Sequence, residues 1–311
     1  MEKIQAAIAK ARATRSEADR RPDTSGPASD RETEADTAPA PDPRHRPEPS
    51  AQQMPAPGSP SPQAPAIATA EPDRGAEISR AWEALTPYEP RARALARNRI
   101  VALSRGPGAS EVDGMRTRLL QQIDRNGWRR IALTSPQPGC GKTTVAANLA
   151  FSLSRHADHR TMLFDLDFRN PALARVLAMR ERRDIGRVLE GGARFEDNAV
   201  RYGDRLAIAP ASSGIRAPAE LLQSARAGEI LDAIEQRYQP SVMLFDLPPL
   251  LASDDALAFM KRVDAVLLVA AAELTTIKQI DACERDLAAQ TSVMGVVLNK
   301  CRYMEERDYG Y

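Results

Sequence analysis

Thr134-Ser135-Pro136-Gln137-Pro138-Gly139-Cys140-Gly141-Lys142-Thr143-Thr144 decides the reading of this chain. It follows a short β-rich run from Ile131 and opens a helix-patterned stretch that continues to Ser154. Gly139 and Gly141 let successive backbone N–H groups turn inward with no Cβ in the way, which makes an anion nest. The helix behind adds the positive end of its dipole. A strand, a glycine-rich loop and Gly-Lys-Thr-Thr at a helix start form the P-loop pattern. It predicts that Pro138, Gly139, Cys140 and Gly141 line a phosphate cradle and that Lys142 reaches the β- and γ-phosphates. Thr143 is expected to ligate Mg²⁺ and Thr144 to meet the α-phosphate. One position departs from the usual pattern, with Pro136 where a first glycine normally stands.

Working outward, apolar runs alternate with helical ones. Thr161 to Phe164 stops at Asp165, and Val242 to Phe245 stops at Asp246. Val263 to Ala271 is continuously apolar, Val293 to Leu298 is a further buried run, and Leu206 to Ala209 is a weaker strand. Glu229 to Tyr238 and Thr275 to Gln290 carry helical spacing. Apolar strands separated by helices predict an α/β fold: a mostly parallel sheet with helices on both faces. Ligands sit at the carboxyl ends of such strands, where Asp165, Asp167 and Asp246 fall. Phosphoryl transfer needs a metal held by acids, a group to orient or deprotonate the nucleophile, and positive charge for the transition state. Thr143, Asp165 and Asp246 are the expected metal group, and Lys142, Asp165 and Asp167 the catalytic one. Asn299, at the end of the last apolar run, offers a donor and an acceptor to an adenine edge. Cys140, in a helix-N-terminal field beside Lys142, is expected to be a reactive thiol.

The rest of the chain bounds the function. The sequence has 311 residues with a formal net charge of +1, 42% hydrophobic and 27% charged, a balance that speaks against nucleic-acid binding. Residues 1–20 are read as a short helix, with Ile4, Ala7, Ile8 and Ala11 on one face. Residues 21–80 are read as a disordered Pro-rich linker, because Arg21 to Gly75 holds 13 of the 24 prolines and almost no large apolar residue. The nucleotide-binding domain is placed at 81–302 and a tyrosine-bearing tail at 303–311. Arg91, Arg93, Arg97 and Arg99 form a local basic run, read as a solvated face or an acidic-partner patch. No stretch approaches the ~20 apolar residues of a spanning helix. Three scattered cysteines suggest neither a disulfide framework nor a metal knuckle. These features predict a cytoplasmic protein.

Three motifs in order resemble bacterial tyrosine kinases of the CpsD/CapB type. Ser135 to Thr143 is similar to their modified Walker A, Leu163-Phe164-Asp165-Leu166-Asp167-Phe168-Arg169 to their Walker A′, and Leu244-Phe245-Asp246-Leu247-Pro248 to their Walker B. Tyr303, Tyr309 and Tyr311 resemble their C-terminal tyrosine cluster. The resemblance implies ATP-dependent autophosphorylation of those tyrosines, usually in trans, and a role in capsule or exopolysaccharide production. It also implies self-association and activation by a membrane co-polymerase protein that recruits the kinase to the membrane. The family's Glu-x-x-Arg-x-x-Arg ring motif is degenerate here: starting at Glu111, Gly114 and Thr117 stand at the arginine positions. Two alternatives share the site, a positioning ATPase of the chromosome-partitioning type and a regulatory ATP-binding adaptor. The positioning ATPases carry a second lysine early in the P-loop, where this chain has Gln137.

Overall fold

The computed structural model describes residues 74–104, 106–212 and 214–301. The proposed N-terminal helix, most of the Pro-rich linker and the tail tyrosines lie outside these residues. The described residues form an eight-stranded sheet of β1 (Thr86–Pro87), β2 (Arg130–Thr134), β3 (Thr161–Asp165), β4 (Val200–Tyr202), β5 (Leu206–Ala209), β6 (Val242–Asp246), β7 (Ala265–Ala271) and β8 (Ser292–Asn299). Its order is β1-β4-β5-β3-β6-β2-β7-β8. Pairing is parallel everywhere except between β4 and β5. The five longer helices are α1 (Arg74–Glu83), α2 (Pro107–Asn126), α3 (Lys142–Ser154), α4 (Ala225–Tyr238) and α5 (Ile277–Ala288).

The continuous apolar runs have a direct cause. Side chains alternate across a strand, so β3 and β6 send Phe164, Met243 and Phe245 into a layer with α1, α4 and α5, and Leu163, Val242 and Leu244 into a layer with α2 and α3. Both layers are dry, which leaves no face for a polar residue until the strand ends. Phe164 and Phe245 stack across the β3–β6 pair at 5.1 Å. The same pair puts Asp165 opposite Asp246 in register. Two strands that each end in Asp thus deliver both carboxylates to one spot on the sheet edge.

The domain starts earlier than the sequence indicates. α1 begins at Arg74, inside the stretch assigned to the linker. The helix is polar in composition, and its place depends on a few contacts. Trp82 is buried, its Nε1 donates to the Tyr238 carbonyl at 2.8 Å, and its ring meets Tyr238 edge-on. The Arg160 guanidinium covers the indole at 5.5 Å. A lone tryptophan gives little periodic signal, so the partner on α4 is needed to see the helix.

Candidate nucleotide and metal site

The loop between β2 and α3 lies where the sequence puts it. Gly139 and Gly141 hold φ of +83° and +90°, the left-handed region open to glycine at little cost. A Cβ on Gly141 would run into the Asn299 amide, so the loop is both turned and closely approached. The loop is stitched to the segment after β6: Leu250 N donates to the Ser135 carbonyl at 2.8 Å, and the Thr134 hydroxyl to the Pro248 carbonyl at 2.7 Å. Gln137 donates to the Leu274 carbonyl at 2.9 Å and accepts from Gln279 of α5 at 3.1 Å.

Lys142 opens α3 and is buried. Its Nζ donates to Asp167 Oδ2 at 2.8 Å and lies 3.4 Å from Asp246 Oδ1. Burial works against the ammonium, but Asp246 and Asp167 outweigh it and hold the lysine above its ordinary pKa. Asp165 is fully buried and has a different job. Its Oδ1 accepts the N–H of Asp167, and its Oδ2 accepts those of Ala172 and Leu173. Both oxygens are occupied in shaping the loop after β3. Burial first, and then the charge of Asp246, push its carboxyl up to about 7. Asp246 is pushed up too, by burial, with Lys142 and Thr143 opposing. Both Asp246 oxygens are shut from solvent and neither makes a well-formed hydrogen bond, the longer 3.4 Å pairing with Lys142 being their main compensation.

That under-coordinated carboxylate, next to Thr143 at the helix start, fits a hard cation. Among the described residues no cluster of three or more His, Cys, Asp or Glu could hold a metal alone. Mg²⁺ usually takes one or two protein oxygens and completes its shell with substrate phosphates and water, so Thr143 and Asp246 suffice. The acid pair also sets a pH dependence. A carboxyl whose folded pKa is raised binds more protons folded than unfolded, so stability falls as pH rises between the two pKa values. The magnesium-free chain in chelator is therefore expected to lose on the order of a few kcal/mol between about pH 4 and pH 7 from Asp165. Urea denaturation across that range checks it: flat or rising stability that Asp165→Asn leaves unchanged contradicts the buried-acid assignment.

Two expected residues make contacts that the sequence does not announce. Cys140 is 1% exposed and its Sγ lies 3.5 Å from the Thr275 hydroxyl, so reagents cannot reach the thiol predicted to be reactive. Asn299 donates to the Cys140 carbonyl at 2.9 Å, so its amide braces the phosphate loop. Pro138 and Thr144 sit at the two ends of the cradle, at the loop surface and in the first turn of α3. Tyr303, Tyr309 and Tyr311 lie outside the described residues.

Two contributors escaped the sequence reading. Asn148, in mid-α3, accepts Val101 N and Ala102 N and donates to the Arg99 and Thr144 carbonyls, tying the chain before α2 to the loop helix. An asparagine inside an otherwise apolar helix face was the available signal. Asp255, buried beyond β6, grips Arg169 with two hydrogen bonds of 2.5 and 3.0 Å. Nothing local distinguishes it from an ordinary helix-start acid.

A parallel sheet, a glycine-turned anion cradle, a lysine at the helix start and carboxylates at neighbouring strand ends define a P-loop nucleotide-binding domain. The sequence model for the CobQ/CobB/MinD/ParA nucleotide binding domain matches residues 131–308, and the chain belongs to that family. Among curated proteins it is 28% identical to the putative tyrosine-protein kinase AmsA of Erwinia amylovora, over 58% of this chain and 25% of the relative. It is 29% identical to the tyrosine-protein kinase CpsD of Streptococcus pneumoniae serotype 4, over 58% of this chain and 79% of CpsD. The chain spans about a quarter of the length of AmsA. The solved kinase domain of VpsO is 30% identical with a TM-score of 0.55, covering 61% of this chain and 93% of that domain.

Proposed function

We propose that this chain is an ATP- and Mg²⁺-dependent protein-tyrosine kinase that phosphorylates its own C-terminal tyrosines and acts in capsule or exopolysaccharide production. The observation that carries the reading is the Lys142 bridge to Asp167 and Asp246 at the mouth of the phosphate loop. The tyrosine-kinase names of its relatives support the same class. When nucleotide arrives, its phosphates compete for Lys142 and Asp167 loses its cation. Asp167 is then the carboxylate free to accept the phenolic proton as the tyrosine oxygen attacks the γ-phosphorus and ADP leaves. Asp165, occupied by three backbone N–H groups, keeps Asp167 in place. Thr143 and Asp246 would hold Mg²⁺, which would supply charge neutralisation at the phosphates.

No described helix is long and apolar enough to cross a membrane, which is compatible with a membrane co-polymerase partner that recruits the chain. The positioning-ATPase alternative is disfavoured by Gln137, whose amide is spent within its own chain on Leu274 and Gln279. Truncation after Arg302 is expected to leave ATP binding unchanged and remove most incorporated phosphate. Phosphotyrosine mapping of the pure protein after incubation with ATP and Mg²⁺ is the test. Phosphotyrosine only elsewhere, or none, transfers the reading to the ATPase switch.

A further inference from the structure

The basic run before α2 does not stand alone in three dimensions. Asn98, between Arg97 and Arg99, donates to the carbonyls of Arg175 and Val176 at 3.3 and 2.7 Å, and the Tyr88 hydroxyl donates to the Leu177 carbonyl. These bonds clamp residues 88–99 onto the short helix Leu173–Val176. Arg93, Arg97, Arg99 and Arg175 are thereby gathered on one surface, with Arg91 and Arg180 at its margins, and all six are exposed. Arg93 and Arg97 share a helix face, four residues apart. Elsewhere arginines hold carboxylates: Arg116 with Asp113, Arg130 with Asp232, Arg169 with Asp255. These six have no such partner among the described residues. Glu89 is the one acid within the two segments and forms no ion pair with these arginines among the described residues, and Glu181, just beyond them, is already engaged by Arg183. In a chain of net charge +1, this is a local concentration of unbalanced cations.

The patch also has an address. Leu173 and Ala172 donate to Asp165, so the helix bearing Arg175 starts on a carboxylate of the candidate site. Asn148 links the Arg99 carbonyl to that of Thr144 in the first turn of the loop helix. The arginines therefore flank the mouth where phosphate transfer is proposed. β8 runs parallel to β7 and ends at Asn299, which touches the phosphate loop, so the chain leaves the sheet at the carboxyl-end face that carries the loop, on the β7 side of the loop away from β3. The residues that follow carry Glu305, Glu306 and Asp308 between Tyr303 and Tyr311, with Arg307 as their only cation.

We infer that this arginine surface is the docking site for the acidic, tyrosine-bearing segment Tyr303–Tyr311, holding it beside the phosphate loop. The inference rests on the kinase reading for its purpose, but the binding itself needs no catalysis. Exposed ion pairs contribute about 0.2–1 kcal/mol each, so the dock is weak, salt-sensitive and suited to release.

The test uses the full chain and a fluorescent peptide of residues 302–311, followed by anisotropy without nucleotide. Binding is expected to weaken severalfold between 50 and 300 mM salt, at roughly the Debye screening range. It should weaken about tenfold in the triple variant Arg93→Glu, Arg97→Glu, Arg175→Glu, as three exposed pairs are lost. A peptide with alanine at 305, 306 and 308 should bind the parent chain as poorly. Unchanged melting temperature and ATP affinity in the variant show that fold and nucleotide site survive. Peptide affinity indifferent to the arginines overturns the dock, as does arginine-dependent binding to phosphatidylserine vesicles with none to the peptide. A chain that binds the peptide through these arginines yet never transfers phosphate keeps the dock and loses the kinase. An active kinase whose peptide KM ignores the triple reversal loses only the dock.

Discussion

Lys142→Met is expected to abolish tyrosine phosphorylation and to destabilise the nucleotide-free protein as well. Removing a preorganised donor to developing charge lowers kcat by on the order of 10²–10³, and losing the cation that recruits the γ-phosphate adds to that. The stability effect comes from the pairing within the fold. Lys142 is the cation that Asp167 and Asp246 share, and all three are buried. Breaking a buried pair from one side typically costs about 3–5 kcal/mol. Without Lys142 the buried Asp246 resists ionisation further, so the deficit should shrink as pH falls and that carboxyl takes up a proton. Lys142→Arg separates the two effects: it keeps the charge but not the compact ammonium, and should recover stability far better than transfer. Thermal melts at pH 5 and pH 8 beside a phosphotransfer assay decide this. Wild-type melting by the Met variant at pH 8 would refute the shared-cation account.

Much of this site was legible because its chemistry is local in sequence. A glycine-lysine-threonine run must sit between a strand and a helix to work, and strand-terminal aspartates announce themselves by interrupting apolar runs. Leu206–Ala209 coincides with its predicted span, and β3 and β6 extend theirs only by the terminal Asp. What was not legible depends on partners distant in the chain. Asp165 and Asp167 look alike in sequence, yet one is spent on backbone N–H groups and the other holds Lys142. Cys140 was expected to be reactive from its field, but exposure is a tertiary property, and Thr275 and the packed loop close it off. Residues 74–80 of α1 fall in the stretch read as linker because the helix's order derives from Trp82 meeting Tyr238, a pair 156 residues apart. The two-residue β1 has too short a span for any periodic signal.

Gly141→Ala should strongly damage nucleotide binding, and Asn299 offers a way to prove why. At a φ of +90° an L-residue is strained by about 1–2 kcal/mol, and the new methyl meets the Asn299 amide that braces the Cys140 carbonyl. Losing that bond adds about 1 kcal/mol, so ATP affinity should fall roughly 100-fold. Asn299→Ala alone removes the brace without strain and should cost tenfold or less by the same conversion. In the double variant the methyl has room, so only the backbone strain remains beyond the lost brace. Its fold-loss of affinity should therefore be smaller than the product of the two single losses, a coupling that a double-mutant cycle reads directly. Strict additivity would mean that the methyl and the amide never compete. Nucleotide choice distinguishes the two roles for Asn299. A loop brace affects ATP and GTP alike, whereas an adenine reader costs ATP affinity selectively, so an Asn299→Ala variant that loses only ATP returns this residue to the base.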